Sequence, residues 1–278
     1  IFLTIFSVSL FRIMPSVNRI IQSFLLVKSY NYIFDFFHDF SNEIEEIPQK
    51  KIIVFNKIVF KDLNFSYDNS TLLKDVNFEI NKTDFVGLTG SSGSGKSTLI
   101  NIILQFLKPQ KGEILINNKS IINYNISDWR NLIGYVQQDV YIIDGDVNQN
   151  IAFAEEVIDH KKIAHIVKKV NLENFIENLP NKFDSRLGEN GALVSGGQKQ
   201  RIGIARALYN DCKILILDEA TNSLDKNTEF QILKILKILN EQGLTIILIS
   251  HSDSALKYCN KIYNIKSNQL ILNTISSS

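Results

Sequence analysis

FVGLTGSSGSGKSTLINIILQFL, residues 85–107, is the stretch that decides the fold. FVGLTG reads as a short buried strand and STLINIILQFL as an apolar helix. Between them GSSGSGKST, residues 90–98, fits G-x-x-x-x-G-K-[ST] in full. Gly93 and Gly95 let the backbone curl, so that successive N–H groups face an anion. The helix N-terminus adds its positive dipole end. Gly90, Ser91, Ser92, Ser94 and Thr98 complete the loop around them. Lys96 is placed to reach the β- and γ-phosphates of a nucleotide, and the Ser97 hydroxyl to hold Mg²⁺. A flexible Gly/Ser linker would not stand between a buried strand and an apolar helix.

Working outward, CKILILDEA (212–220) and LTIILISHS (244–252) are β-branched apolar runs, as in parallel strands covered on both faces. Asp218 and Glu219 fall where the first run ends, which is where open parallel sheets bind ligands. Asp218 is the expected second holder of Mg²⁺, and Glu219 the expected general base that polarises an attacking water. Upstream, residues 52–84 carry short β-rich runs split by Asn, Asp and Lys clusters, as in an antiparallel sheet. Residues 139–210 lack such strands and read as mostly helical, whereas EFQILKILKILN (229–240) is a helix between strands. The predicted fold is α/β: a P-loop NTPase, RecA-like core with an antiparallel β-subdomain and an inserted α-helical subdomain.

Composition agrees with a nucleotide enzyme. The 278 residues have a net charge of +1 and are 45% hydrophobic, enough for a sizeable core and no argument for nucleic acid. Cys212 and Cys259 lie far apart without metal-type spacing and read as two reduced thiols.

A second phosphate-type loop follows in LVSGGQKQRIGIARAL, residues 193–208. Ser195 can cap the helix there, and Gly196 and Gly197 allow close approach of an anion. One nucleotide does not need two such loops from one chain, so this one is expected to serve the nucleotide of another subunit. With these residues in hand, the chain resembles the nucleotide-binding domain of ATP-binding cassette (ABC) proteins over residues 49–278. The resemblance implies a role for each motif. Tyr67 in NFSYDN matches the aromatic that stacks on adenine. Gly90–Thr98 matches Walker A, Ser195–Gln198 the signature, and Asp218 and Glu219 Walker B with its catalytic carboxylate. Gln138 in GYVQQD matches the Q-loop glutamine that touches Mg²⁺ and the transmembrane partner. Gln137 beside it leaves the register open by one, and Asp139 favours Gln138. Asp225 in NSLD matches the D-loop, and His251 the switch histidine on the γ-phosphate. The departures are Val194 for the usual Leu, and Asn222 and Ser223 for small residues before Leu224. No catalytic position is lost, so ATP with Mg²⁺, turnover and a homodimer are the implied cofactors, activity and partner.

The start of the chain selects among kinds of ABC protein. IFLTIFSVSLF carries no charge, yet it falls short of the ~20 apolar residues a membrane span needs. It reads as a buried amphipathic helix or as the last turns of a transmembrane helix that begins upstream; Ile1 in place of Met favours the second. Residues 16–47 have helical periodicity, and Pro48 breaks it. The expected division is 1–48, the end of a transmembrane domain with its linker helix, and 49–278, the cassette. A free-standing importer subunit would start near residue 52. A soluble ABC ATPase acting on nucleic acid or ribosomes would pair two cassettes or split one with a coiled coil. The expectation is therefore an exporter half-transporter in a bacterial inner membrane, with this domain on the cytoplasmic face. RLGENGALVSGG (186–197) resembles the exporter loop that touches intracellular helices. FRIMPSVNRI (11–20) resembles the end of the last transmembrane helix in bacterial exporters that flip lipid-linked oligosaccharides. A generic helix exit, with Arg12 and Arg19 following the positive-inside tendency, is the plain alternative.

Overall fold

The computed structural model describes residues 2, 11–28, 30, 54–68, 70–188 and 191–273. The chain parts into two compact units, Ile1–Ile47 and Pro48–Ser278. In the first, residues 11–28 form a helix (α1) that runs through Pro15. Among the described residues no helix is long and apolar enough to cross a membrane. The distal linker (31–47), the break at Pro48 and Glu189 of the RLGENG turn lie outside the described residues.

The second unit holds two sheets. One is antiparallel, ordered β2-β1-β4-β5, from β1 (Lys57–Tyr67), β2 (Ser70–Asn81), β4 (Lys111–Ile116) and β5 (Lys119–Ser120). Of the polar clusters that split the apolar runs, Lys61-Asp62 and Lys74-Asp75 interrupt the β1–β2 ladder with register shifts without ending the strands, whereas Asp68 follows the end of β1 and the cluster at 81–84 ends β2. The other sheet is ordered β10-β9-β3-β8-β7-β6, from β3 (Phe85–Gly90), β6 (Ile133–Val136), β7 (Ile214–Asp218), β8 (Thr245–Ile249), β9 (Lys261–Lys266) and β10 (Gln269–Asn273). Its β6, β7, β8, β3 and β9 pair in parallel, and β10 joins antiparallel at the edge.

Period-two alternation makes this sheet the wall between two cores. Ile214 and Ile216 of β7, with Ile247 and Ile249 of β8, face the core shared with the antiparallel sheet. Leu215 and Leu217, with Ile246 and Leu248, face the core built with helices. Successive side chains take opposite faces, and both faces are buried, so the runs must be apolar throughout.

The helices are α2 (Lys96–Ile103), α3 (Ile126–Asn131), α4 (Val147–Ile151), α5 (His160–Lys169), α6 (Glu173–Glu177), α7 (Gly196–Tyr209), α8 (Lys226–Glu241) and α9 (Asp253–Leu256). Two of them differ from the sequence pattern. The apolar run after the phosphate loop continues to Leu107, but α2 stops at Ile103. Trp129, fully buried, donates Nε1–H to the Ile103 carbonyl at 2.7 Å, and Arg130 donates to Leu104 and Gln105 at 2.9 Å each. Those side chains take the carbonyls a longer helix would have used. The middle region is also less helical than predicted. Its α4 and α6 are five residues each, and the described residues 178–188 form irregular chain that includes the 3₁₀ turn Lys182–Asp184. Gly188 and Gly191, both at positive φ, and Pro180 account for that.

Candidate nucleotide site

Strand register brings the site together. Leu88 of β3 pairs with Ile249 of β8, and Ile249 pairs with Asp218 of β7. The chain segments that leave these three strands therefore start within two residues of one level, at the same edge of the sheet. They are the phosphate loop, the turn to His251 and the turn that starts at Glu219.

The phosphate loop has the backbone its glycines predict. Gly90, Gly93 and Gly95 have φ of 147°, 75° and 106°, a region side-chain-bearing residues rarely adopt. At Gly90 a Cβ would also lie 2.6 Å from Ser94 Oγ and 2.8 Å from the Ile265 carbonyl. Gly95 caps α2 without any side-chain hydrogen bond, so the first N–H groups of the helix keep their donors for an anion. Lys96 is buried, and its Nζ donates to the carbonyls of Gly90 (2.8 Å) and Ser91 (3.1 Å). The ammonium thus lies inside the loop. Ser91, Ser92, Gly93 and Ser97 are exposed, whereas Gly95 and Thr98 are buried. Ser94 Oγ is buried with no hydrogen-bond partner.

Tyr67 ends β1 with 49% of its surface exposed, its ring held edge-on by Phe65 at 4.9 Å. The hairpin that carries it rests on the loop, since Leu72 and Leu73 of β2 approach Gly95 closely enough to touch a Cβ there at 3.2 Å.

Asp218 closes β7 and accepts a 2.9 Å hydrogen bond on Oδ2 from the Tyr135 hydroxyl of β6. Burial, then this carboxylate, pushes the Tyr135 phenol well above its usual pKa, so it stays a donor. Glu219 has φ 51°, a left-handed conformation uncommon for Glu. Its Oε1 faces His251 Nε2 at 3.6 Å, and its Oε2 accepts from Asn222 Nδ2 at 3.1 Å. Ser97, Asp218 and the Gln138 amide would present only oxygen to a cation, the donor chemistry Mg²⁺ takes. With Oδ2 bonded to Tyr135, Asp218 keeps Oδ1 for such a ligand or its water. Gln137 and Gln138 are both exposed. Their carbonyls receive the Gln200 side chain, at 3.4 and 2.6 Å, which ties this loop to α7.

The signature is a capping box. Ser195 Oγ accepts from Gln198 N–H at 3.4 Å, and Gln198 Oε1 accepts from Ser195 N–H at 2.8 Å. Gly196 is exposed and Gly197 is buried against Thr228 of α8. A cavity of about 610 Å³ opens beside Ser195, Gly197, Gln198 and Arg201, and no residue of 90–98 lines it. Asp225 caps α8, accepting from the N–H groups of Asn227 and Thr228 at 3.0 Å each. The Thr228 hydroxyl, then its N–H, holds the Asp225 carboxyl below the usual carboxylate range.

Nothing in the motif pattern singles out Tyr135, Gln200 or Thr228. Each acts on a site residue from another strand or helix. The only signal was position: Tyr135 stands three residues before Gln138, and Gln200 two after Gln198.

A phosphate loop after a central parallel strand, with His251 following the adjacent strand β8 and Asp218-Glu219 ending β7 beyond it, defines a P-loop nucleotide-binding domain. Residues 73–222, more than half of the chain, match the ABC transporter family, and the chain belongs to that family. An ATP-dependent lipid A-core flippase of Desulfotalea psychrophila is 37% identical over 235 residues, covering 84% of this chain and 41% of that protein. One of Saccharophagus degradans is 36% identical over 262 residues, 94% of this chain and 44% of that protein. The ATP-dependent permease MDL1 of Candida albicans is 39% identical over 219 residues, 77% and 32%. The structure of a bacterial Atm1-family ABC exporter with ATP bound matches with a TM-score of 0.75 and 29% identity, covering 83% of this chain and 41% of that one. The chain spans less than half the length of each of these relatives.

Proposed function

We propose that this domain is the ATP-hydrolysing motor of an ABC exporter, paired with a second copy and fused to a transmembrane domain. The observation that carries the reading is the Leu88–Ile249–Asp218 row, which sets the phosphate loop, His251 and Glu219 at the same edge of one sheet. The second helix N-terminus, at Ser195, has no role toward a nucleotide in its own chain's loop. It serves the nucleotide of the partner, head to tail. The relatives named as flippases and permeases support export over import and a membrane-bound whole protein, in which this domain would lie on the cytoplasmic face.

Each residue then has a task. Tyr67 stacks on adenine. Lys96 exchanges the Gly90 and Ser91 carbonyls for β- and γ-phosphate oxygens as nucleotide enters, and the N–H groups from Gly93 to Thr98 face the phosphates. Ser97, Asp218 and Gln138 would hold Mg²⁺, which would supply charge neutralisation at the nucleotide's phosphates. Glu219 aligns the attacking water and takes its proton, and His251 holds the γ-phosphate. Ser195 uses its lone pair on the Gln198 N–H and keeps its O–H to donate to the partner's nucleotide, joined there by Gly196, Gly197 and Gln198. Asp225 holds the start of α8 beside that loop. Catalysis is mostly positioning and charge stabilisation.

Glu219→Gln is the test. It should keep nucleotide binding and accumulate an ATP-bound dimer with little hydrolysis, read by gel filtration with light scattering. Turnover near the parent rate would remove Glu219 from the role. For the cargo, the lipid A-core flippases among the relatives and FRIMPSVNRI favour a lipid with a glycan headgroup. The full-length protein in vesicles should flip a lipid-linked glycan with ATP; no ATP-dependent flipping would count against it.

A further inference from the structure

Glu219 needs more than a place in the turn to act as a base. Its side chain has several rotatable bonds, and a base must be held within reach of the proton it takes. Its backbone is pinned by an N–H to the Ile249 carbonyl at 3.2 Å. Residues 219–222 then form a turn closed by the Asn222 N–H to the Glu219 carbonyl at 3.1 Å. That bond sets the Asn222 side chain over the Glu219 carboxylate.

We propose that Asn222 is a positioning residue that orients the Glu219 carboxylate through its side-chain amide. The inference rests on Glu219 being the base and adds what holds it. The two oxygens become unequal. Oε2 is held by Asn222 Nδ2 at 3.1 Å, and Oε1 is left facing His251 at 3.6 Å, the side where water and γ-phosphate belong. A neutral amide suits this task, because it donates a hydrogen bond without neutralising the carboxylate. The turn itself is rigid: Ala220 and Thr221 are buried, and the Leu224 N–H returns to the Thr221 carbonyl at 3.2 Å. The alternative is that Asn222 only closes the turn, which its backbone does whatever the side chain.

Asn222→Ala and Asn222→Asp, with Glu219→Gln as reference, separate these. In the 278-residue chain, Asn222→Ala should lower kcat about ten- to 150-fold, the range a hydrogen bond to a charged group is worth. Asn222→Asp should lower it further, because a second carboxylate repels the first. ATP affinity, read with a fluorescent nucleotide, should change less than about twofold, and Tm should hold. An Asn222→Ala kcat within twofold of the parent overturns the proposal. So does a joint fall of kcat, affinity and Tm. If Glu219→Gln retains turnover, the base assignment itself fails; if it is silent while Asn222→Ala matches the parent, only the Asn222 inference fails. A readout independent of turnover is the Asn222 side-chain amide in a ¹H–¹⁵N spectrum, identified by its loss in Asn222→Ala. It should shift on Glu219→Ala, and an unmoved resonance overturns the proposal.

Discussion

Gly197 and Thr228 give the sharpest prediction, because a single methyl group decides its sign. A Cβ on Gly197 would lie 2.3 Å from Thr228 Cγ2. Carbon atoms in contact prefer about 3.5–4.0 Å, so more than 1 Å must be found. Thr228 is β-branched, its N–H bonds Asp225, and its hydroxyl acts on the same carboxylate. Turning the side chain away moves the hydroxyl off that carboxylate; otherwise α7 must part from α8. Overpacking of this kind costs about 1–3 kcal/mol. Against it, Ala in place of Gly inside a helix gains about 0.5–1 kcal/mol, less near the first turn. Gly197→Ala should therefore lose about 0.5–2 kcal/mol net. Thr228→Ser removes the methyl and keeps the hydroxyl. In that background Gly197→Ala should cost nothing or stabilise, a coupling of about 1–3 kcal/mol. Urea unfolding of the parent, both single variants and the double variant measures it. A coupling below about 0.5 kcal/mol, which is simple additivity, would refute the steric reasoning.

Other outcomes follow from single contacts. Tyr135→Phe removes the donor to Asp218 and should lower stability by about 0.5–1.5 kcal/mol in urea with an unchanged m-value; an unchanged midpoint would show that the bond contributes nothing. Trp129→Phe leaves the Ile103 carbonyl buried without its donor and should cost about 1–3 kcal/mol beyond lost packing, checked by the same titration. Cys212 and Cys259 are buried, and burial pushes each thiol up to about 12. Both should resist a thiol reagent at pH 8 until the chain unfolds. The unfolded thiols ionise first, so the stability held by the protonated native thiols is complete below about pH 8.5 and declines as pH rises toward 12. Modification of the native chain at pH 8 at the unfolded rate would contradict this.

The parts legible in the sequence are those where local chemistry dictates the outcome. Phosphate-loop glycines are needed for positive φ at Gly93 and Gly95, and apolar strands such as ILILD and TIILI are needed because both faces are covered. Ser195 as a helix cap was equally readable, although the partner it finds, Gln198, makes the start of α7 a capping box. The end of α2 was not readable, because Trp129 and Arg130, 25 or 26 residues away, set it. Tyr135 reaches Asp218 across 83 residues of sequence and leaves no periodic trace. Asn222 looked like a mere departure from a family pattern until its amide was seen on Glu219.

The central claim is that each catalytic site is shared, one chain's phosphate loop with the other's signature. Two variants test it most directly. Lys96→Ala disables the loop, and Gly196→Glu puts a carboxylate where the partner's phosphate must approach. Each should be silent alone in an ATPase assay. Mixed in equal amounts, half of the dimers carry one of each, and one of the two sites in those dimers is intact. The account predicts that activity returns to about a quarter of the parent rate, as two-fold symmetric pairing requires. A mixture as silent as its components would contradict it.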